Sequence, residues 1–304
     1  MLAARMPRQT PYVDTTMYVS WNAMFVSAFL EASRTLYANW IANDCRAFAL
    51  KTMDRMLREA WSEEQGFAHR IGGPALHGLL DDQVFGVMAL LDAYEATLDA
   101  KYFLAARRTM GVAIEKYGDA EGGGFFDRAS DAPPMAGLDV RRKPFQDSPT
   151  PGTNSVAAMA LTRLRHYTGE QGYYDWAEKT LEAFAGIAPQ YGMFAATYGL
   201  AATLFANHPI QVVITGAEGD VAAMELEEAA NSVFRFGKGV LRVKPGITPE
   251  HLPLALRETL PHLPADKAMA LVCFGNTCLP PTNDPERLKM ILENGAAGAA
   301  GFSQ

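Results

Sequence analysis

Over the first two thirds of the chain, apolar residues recur at helical spacing. Across residues 20–207 they return every three or four positions, which places their side chains on one face of an α-helix. The pattern predicts seven amphipathic helices, whose apolar faces must pack on each other. The apolar stripes begin, in chain order, at Trp21, Phe48, Val84, Phe103, Val156, Tyr174 and Tyr191.

Two pairs of predicted helices share one layout. In each pair a helix ends near a threonine, Thr97 or Thr168, and a short polar turn follows. An aromatic residue then precedes an alanine by one helical turn. This two-helix unit recurs after roughly 60 to 70 residues, which favours stacked helical hairpins over an irregular helical domain with chance similarity. The matching aromatic and alanine positions are Tyr102 with Ala106 and Tyr173 with Ala177.

The pattern changes at Pro209. The runs IQVVIT, GVLRV and AMALVCF are rich in β-branched or apolar residues and predict strands, with helices predicted over residues 221–234 and after Asp284. This order of elements is typical of a small α/β layer packed on a helical body. The sequence therefore predicts a mainly α protein, with a helical-hairpin domain over residues 1–207 and a small α/β subdomain over residues 208–304.

Composition narrows the possible partners. The 304 residues include 27 Lys and Arg against 34 Asp and Glu, a net charge of −7. This acidic balance argues against binding to nucleic acid or to an anionic membrane. No apolar run reaches the roughly 20 residues of a membrane-spanning helix, and the N-terminus lacks the apolar core of a secretory signal. We expect a soluble, cytoplasmic protein with no nucleic-acid or membrane partner.

Cofactor and metal signals are weak. The segment TGAEGD follows a predicted strand, but it lacks the G-x-G-x-x-G spacing and the lysine of a phosphate loop. Cys273 and Cys278 match neither the redox C-x-x-C spacing nor a paired zinc pattern, so both are expected to be free thiols. We therefore expect neither a cofactor nor a metal, and a thiol–disulfide oxidoreductase activity is excluded.

The first candidate site precedes the third predicted helix. In GFAHRIGGPALHGLLDDQVF, the adjacent carboxylates Asp81 and Asp82 follow His69 by about a dozen residues. One interpretation is structural, since carboxylates at a helix start cap the backbone and favour its positive dipole end. The other is acid–base chemistry at a cavity, with His69 sharing the proton path.

A second candidate region is the long connection over residues 119–155. Connections of this length in compact domains are usually functional or disordered, and the aromatic pair in EGGGFFD favours an ordered loop. The basic residues 141–143 could bind an anionic or carboxylated ligand, or form a solvated charge run. Thr153, Asn154 and Ser155 are predicted to cap the following helix.

Five segments, in this order, resemble the C-terminal part of the thioredoxin-domain-containing, spermatogenesis-associated protein 20-like family. The resemblance covers nearly the whole chain. It implies an (α/α) toroid similar to N-acylglucosamine 2-epimerases and other six-hairpin carbohydrate enzymes, here incomplete and without the family's N-terminal thioredoxin-like domain. The segments are PYVDTTMYVSWNAMFVSAF, LLDDQVFGVMALLDAYEATLD, EGGGFFD, PGTNSVAAMALTRL and ALVCFGNTCLPPTNDPERL.

The resemblance also assigns site residues. It carries over the aspartate pair, which with His69 from the residue pattern forms the expected catalytic set, although Gln83 stands where the family usually has a tyrosine. The basic element of the long connection is only partly kept. The implied substrate-binding residues are Trp21, Asn22, Phe126, Asp127, Arg142, Lys143, Asp147 and Asn154.

Two functional classes follow. The first is a sugar-active enzyme, an epimerase or glycosidase relative that takes a small sugar ligand. The second is a non-catalytic binding or assembly module, a partial toroid completed by a second copy or by a separate thioredoxin-domain chain. In that case the first helix, through Trp21, Met24, Phe25 and Phe29, is expected to lie on an exposed apolar edge.

Overall fold

The computed structural model describes residues 2–36, 40–72, 76–133, 140–207, 209–217, 219–244, 252, 254–263, 267–275 and 277–295. The α-helices are α1 Leu2–Arg5, α2 Val19–Thr35, α3 Trp40–Ala60, α4 Leu80–Thr97, α5 Ala100–Tyr117, α6 Thr153–Thr168, α7 Gln171–Ala185, α8 Ala188–Tyr191, α9 Ala196–Ala206, α10 Val221–Ser232, α11 Leu254–Thr259 and α12 Pro285–Asn294. The strands are β1 Trp61–Ser62, β2 Gly66–Phe67, β3 Ile210–Thr215, β4 Lys238–Val243, β5 Met269–Phe274 and β6 Thr277–Cys278.

The helical body is a row of hairpins. Helices α2 and α3, α4 and α5, and α6 and α7 pack as pairs. The first helices of these pairs also pack side by side, in the order α2, α4, α6, and α9 continues the row next to α6. The protein is therefore mainly α, with the hairpin arrangement of an (α/α) toroid segment, as the sequence predicted. Among the described residues, no helix combines the length and apolarity needed to cross a bilayer.

The recurrent turns occur where the sequence predicted them. Helix α4 ends at Thr97 and helix α6 at Thr168. The next residue adopts a left-handed conformation in both, with φ of 54° at Leu98 and 73° at Gly169. This conformation closes a helix and reverses the chain. The side chain of Asp99 then accepts a hydrogen bond from the backbone of Lys101 and caps α5.

Helix α4 is the centre of the body. It is buried on most of its surface, and a helix that is apolar all round must be surrounded by others. Near its end, the buried carboxylate of Glu95 contacts Arg163 at 2.7 Å and Arg34 at 3.4 Å. The Tyr167 hydroxyl donates to the same carboxylate at 2.5 Å. Burial alone would raise the pKa of Glu95, but the two guanidinium groups outweigh it and lower the pKa. The cluster ties α2, α4 and α6 together.

The C-terminal layer is a mixed four-stranded sheet in the order β4, β3, β5, β6. Strand β4 runs parallel to β3 and is joined to it through α10. Strand β5 pairs antiparallel with β3, and β6 pairs antiparallel with β5. Alternate residues face opposite sides of a strand. Val213 therefore packs into the core of the helical body, while Val212 and Ile214 pack in a separate apolar cluster with α10 and α12.

The expectation of free thiols at Cys273 and Cys278 is wrong. The two sulfurs form a disulfide, and the residues lie directly opposite each other on β5 and β6, with their Cα atoms 4.0 Å apart. The reason is the hairpin, since a tight reversal near Gly275 brings positions five residues apart into register. The spacing excludes C-x-x-C chemistry but not a cross-strand pair. Cys45 is a free, buried thiol.

The Glu95 cluster gives a stability prediction. We expect the Glu95→Gln variant to lose about 3 kcal/mol of unfolding free energy, because Arg34 and Arg163 lose the buried carboxylate that they share, although Asp92 still pairs with Arg163 at 2.8 Å. Urea denaturation measures this loss. Glu170→Gln is the matched control, since Glu170 pairs with Arg107 at the surface. A loss below about 1 kcal/mol, the range of surface pairs, would contradict the central role of the cluster.

Candidate functional site

The N-terminal ends of the inner helices meet at one end of the body. The backbone N–H of Leu80, at the start of α4, donates to the carbonyl of Asp127 at 3.0 Å. The hydroxyl of Thr153, at the start of α6, donates to the Asp81 carboxylate at 2.7 Å. The aspartate pair and the turn after the glycine run therefore lie at the same end. The positive dipole ends of these helices favour negative charge there.

Asp82 is fully buried at the start of α4. One carboxylate oxygen accepts the backbone N–H of Ser20 at 3.0 Å, which joins α2 to α4. The other accepts the backbone N–H of Leu79 and Nδ1 of His69, both at 2.9 Å. The contact with Leu79 is the helix-capping role foreseen as the structural alternative. Three donors on one carboxylate favour its ionised form.

His69 is the exposed member of this pair. Its side chain is 28% exposed, whereas that of Asp82 is completely buried. The hydrogen bond that His69 donates to Asp82 raises the pKa of His69; burial opposes the rise, and the charges of Asp82 and Asp81 add to it. Burial raises the pKa of Asp82, and His69 with two backbone N–H groups opposes that rise. Because Nδ1 faces Asp82, Nε2 is the nitrogen that can exchange a proton with a ligand.

Aromatic side chains lie beside the imidazole. The Tyr18 ring is 5.1 Å from the His69 ring and 5.0 Å from the Trp21 ring, centroid to centroid. Trp21 is 56% exposed. The amide of Asn22 donates to the Tyr18 carbonyl at 2.7 Å and holds this turn. A titratable ring beside exposed aromatic surface is a composition typical of small-molecule sites.

The basic residues of the long connection have separate roles. The Phe126 ring lies 4.2 Å from the Arg141 guanidinium and 5.2 Å from the Lys143 ammonium. Lys143 also pairs with Asp119 at 2.7 Å, so it fastens the loop. Arg142 is exposed. Of the three basic residues, Arg142 is thus the one whose charge is most open to solvent.

Two of the predicted substrate-binding residues hold the connection from inside. Asn154 is fully buried, and its amide exchanges two hydrogen bonds with the backbone of Phe125, at 2.6 and 2.9 Å. The Asp147 carboxylate accepts the backbone N–H groups of Gly152 at 2.6 Å and Thr197 at 2.8 Å. Their polar groups are occupied by backbone, which fixes the shape of the loop. The carboxylate of Asp127 likewise accepts the backbone N–H of residue 142.

The prediction that Thr153, Asn154 and Ser155 cap α6 is wrong. The N-cap residue is Gly152, and no side chain completes the cap. The three residues belong to the first turn of α6 itself, and the Thr153 hydroxyl donates to the Asp81 carboxylate of the neighbouring helix. Sequence reasoning could not find this partner, because the two residues are 72 positions apart.

Gln83, at the position where the resemblance implies a tyrosine, is also fully buried. Its amide oxygen accepts the Phe67 backbone N–H at 2.8 Å, and its amide nitrogen donates to the Phe67 carbonyl at 2.6 Å. The side chain thus anchors the segment that leads to His69. Ser20 and Tyr18 were not among the predicted site residues. A backbone donor such as Ser20 N–H leaves no signal in a sequence.

Two cavities lie apart from this pair. One, of about 260 Å³, is lined by α2 and α3 and includes Asn22. The other, of about 470 Å³, lies between the helical body and the C-terminal sheet. Neither is lined by Asp81, Asp82 or His69. The predicted acid–base residues therefore lie at the end of the helical body where the N-termini of α4 and α6 meet, rather than in either cavity.

The pair gives a titration prediction. We expect the Asp82→Asn variant to lower the pKa of His69, because the hydrogen-bonded charge that raises it is gone. In the wild type, the raised pKa of His69 contributes its whole stabilisation below about pH 6.5, the ordinary pKa of histidine. This stabilisation is lost as the pH rises through the pKa of His69 in the folded protein. The variant should lack it at every pH. NMR titration of the imidazole measures the shift. His166, whose pKa burial lowers to about 4, is the internal control. An unchanged His69 titration would show that Asp82 does not act on it.

No protein-family model matches the chain. Two curated relatives align with 96% of it: spermatogenesis-associated protein 20 of Homo sapiens, 29% identical over 302 residues, and that of Mus musculus, 27% identical over 307 residues. The chain spans 38% of the length of each of these relatives.

Solved structures also show likeness. A GH76 α-mannanase from Bacteroides thetaiotaomicron is 13% identical with a TM-score of 0.48, and the match covers 78% of this chain and 65% of that one. A cellobiose 2-epimerase from Spirochaeta thermophila is 18% identical with a TM-score of 0.44, over 57% and 44% of the two chains. Over 96% of its length the chain is similar to the spermatogenesis-associated protein 20 proteins, in agreement with the resemblance of its five ordered motifs.

Proposed function

We propose that this chain is a sugar-active enzyme domain in which His69 is the general acid–base. Asp82 is then a positioning residue, since it is completely buried and reaches a substrate only through the imidazole. Asp81 supplies a second carboxylate beside it, at the N-terminal end of α4. The observation that supports the proposal most is the partly exposed imidazole held at 2.9 Å by a fully buried carboxylate, where helix N-termini meet.

This arrangement suits proton transfer at a sugar carbon. Epimerisation beside a carbonyl needs a base that removes a proton and an acid that returns it, and histidine does both near neutral pH. Negative charge that develops on the substrate oxygen would be stabilised by the helix N-termini. Glycoside hydrolysis would instead use a carboxylate with a protonated acid. Asp81 and His69 supply these two groups.

The surroundings of the imidazole are consistent with a sugar. The Tyr18 ring contacts both the His69 ring and the exposed Trp21 ring, so the three rings form one aromatic surface. Arg142 lies on the connection that contacts the start of α4 through Asp127, and its exposed guanidinium is the contact we assign to a hydroxyl or carboxylate of the ligand. In this assignment Trp21 and Arg142 contact substrate, whereas Asn154 and Asp147 keep the loop in place.

Turnover tests the proposal. With a panel of monosaccharides and disaccharides in deuterated water, an epimerase incorporates deuterium at the reacting carbon, whereas a glycosidase releases new reducing ends. We expect His69→Gln to abolish turnover and Asp82→Asn to reduce kcat by at least about a hundredfold, the usual contribution of general acid–base catalysis. Arg142→Gln should raise KM mainly.

The melting temperature separates chemistry from folding. His77→Gln is the matched control, because this exposed histidine belongs to the same connection. If the His69 variant keeps full turnover, the proposed chemistry is wrong. A large fall in melting temperature for Asp82→Asn, with turnover lost only in proportion to unfolding, would leave Asp82 with its capping role alone.

The face formed by α2 and α3 favours a second candidate function, assembly with another helical hairpin. Phe25 is 65% exposed, and Phe48 is 55% exposed on the neighbouring helix. Phe29 joins them, with its ring 5.1 Å from that of Phe48. In the row α2, α4, α6, α9, helix α4 packs between α2 and α6, and α6 packs between α4 and α9. Within the described residues, α2 has a neighbour in the row on one side only, namely α4. The row therefore ends in an apolar face that an amphipathic hairpin, supplied by a partner chain, would continue.

Sedimentation tests the assembly candidate. Monomers seldom expose contiguous apolar patches above a few hundred Å², so we expect the chain alone to self-associate at about ten micromolar and to bind an apolar dye. Replacing Phe25 and Phe48 by serine should reduce both effects. Leu104→Ser is the control, since Leu104 is 60% exposed on α5. A stable monomer that binds no dye would exclude an adhesive α2–α3 face.

A further inference from the structure

The larger cavity lies between the helical body and the C-terminal sheet. Its volume is about 470 Å³, within the range of roughly 300–1,000 Å³ of small-molecule sites. We name it the layer cleft. Its walls come from the ends of α2 and α4, the start of α3, helix α10, strand β4 and the segment that follows β3. Its charged lining residues are Arg34, Arg46, Glu95, Glu227, Arg242 and Lys244.

The position of the layer cleft is the first argument for a ligand. Strands β3 and β4 are parallel and in register to their last residues, Thr215 and Val243. Both therefore end at the same edge, and the residues that follow them, Ala217 and Lys244, line the cleft. In open α/β sheets, ligands bind in the crevice outside the carboxyl ends of parallel strands. The TGAEGD motif alone does not predict this site, which is built from separate parts of the chain.

Charge is the second argument. The lining contains four basic side chains and two carboxylates, within a chain whose net charge is −7. Glu95 is already held by Arg34 and by Arg163 behind it, and Glu227 lies 3.2 Å from Arg242. Among the described lining residues, basic side chains therefore outnumber carboxylates by four to two. Such a local reversal attracts an anion.

Arg242 supplies the third argument. Its Nη2 donates to the carbonyl of Ala217 at 2.8 Å, and its Nη1 contacts Glu227. Its Nε is buried and has no hydrogen-bond partner among the described residues. Because that atom is buried, a ligand in the cleft does not reach it. Arg242 itself lines the cleft, however, and guanidinium groups favour phosphate and carboxylate.

We propose that the layer cleft binds a phosphorylated small molecule. The basic residues would hold the phosphate, and an apolar or flat part of the ligand would lie against Trp40, Met224 and Val240, which also line the cleft. Trp40 is 74% exposed and offers its ring to a base or a sugar. Both a mononucleotide and a sugar phosphate have this chemistry.

The layer cleft is separate from the acid–base pair. Asp81 and Glu95 lie near opposite ends of α4, which at 1.5 Å per residue places them about 21 Å apart. Binding in the cleft therefore does not depend on the proposed sugar chemistry. Either proposal can fail alone.

Direct binding measurements test the cleft. Isothermal titration of the purified chain would use inorganic phosphate, AMP and glucose 6-phosphate, with adenosine and glucose as the unphosphorylated counterparts. We expect AMP or glucose 6-phosphate to bind at least about tenfold more tightly than its counterpart, and more weakly as salt rises. Which of the two binds more tightly distinguishes a nucleotide from a sugar phosphate. The indole N–H resonance of Trp40, assigned through Trp40→Phe, should shift during the same titration.

Matched double variants localise the binding. Arg46→Gln with Lys244→Gln removes two cations from the cleft and should weaken binding at least about tenfold. Lys51→Gln with Arg58→Gln removes two exposed cations from α3 outside the cleft and should leave affinity unchanged. Circular dichroism checks that both variants are folded. The proposal is overturned if no phosphorylated compound binds at about 1 mM, or if the two double variants lose affinity equally.

Discussion

The structure depends on the burial of α4. This helix is enclosed by α2, α5 and α6 and by the C-terminal sheet, so its position fixes theirs. Apolar packing supplies most of the stabilisation, but it does not specify how far one helix slides along another. Two buried carboxylates supply that specificity. Asp82 near the first turn binds the backbone of α2, and Glu95 near the last turn binds side chains of α2 and α6.

Both carboxylates have consequences beyond stability. A buried carboxylate needs donors or counter-charges, and each one recruits groups from several elements. At the first end, one of the three donors is His69, whose ring remains partly exposed. At the other end, Arg34 faces both Glu95 and the layer cleft. The same physical requirement therefore creates an acid–base pair at one end of the helix and a basic cavity wall at the other.

The local features of this fold could be predicted from the sequence. Helical spacing identified the long helices of the body, and Thr97, Asp99 and Gly169 mark turns whose chemistry is local. Contacts between distant segments could not be predicted in this way. The amide of Asn154 binds a backbone 29 residues away, and the Cys273 disulfide requires a strand register that spacing alone does not supply.

Gln83 is next to the candidate site in the chain, but its side chain does not hydrogen-bond with the acid–base pair of His69 and Asp82. Successive residues of a helix point about 100° apart, so Asp82 and its neighbour contact different segments. Asp82 reaches α2 and His69, whereas Gln83 binds both backbone groups of Phe67, two residues before that histidine. Residue 83 therefore fixes the position of the backbone just before His69. A glutamine at this position therefore leaves the Asp82 carboxylate, the His69 imidazole and the hydrogen bond that joins them intact.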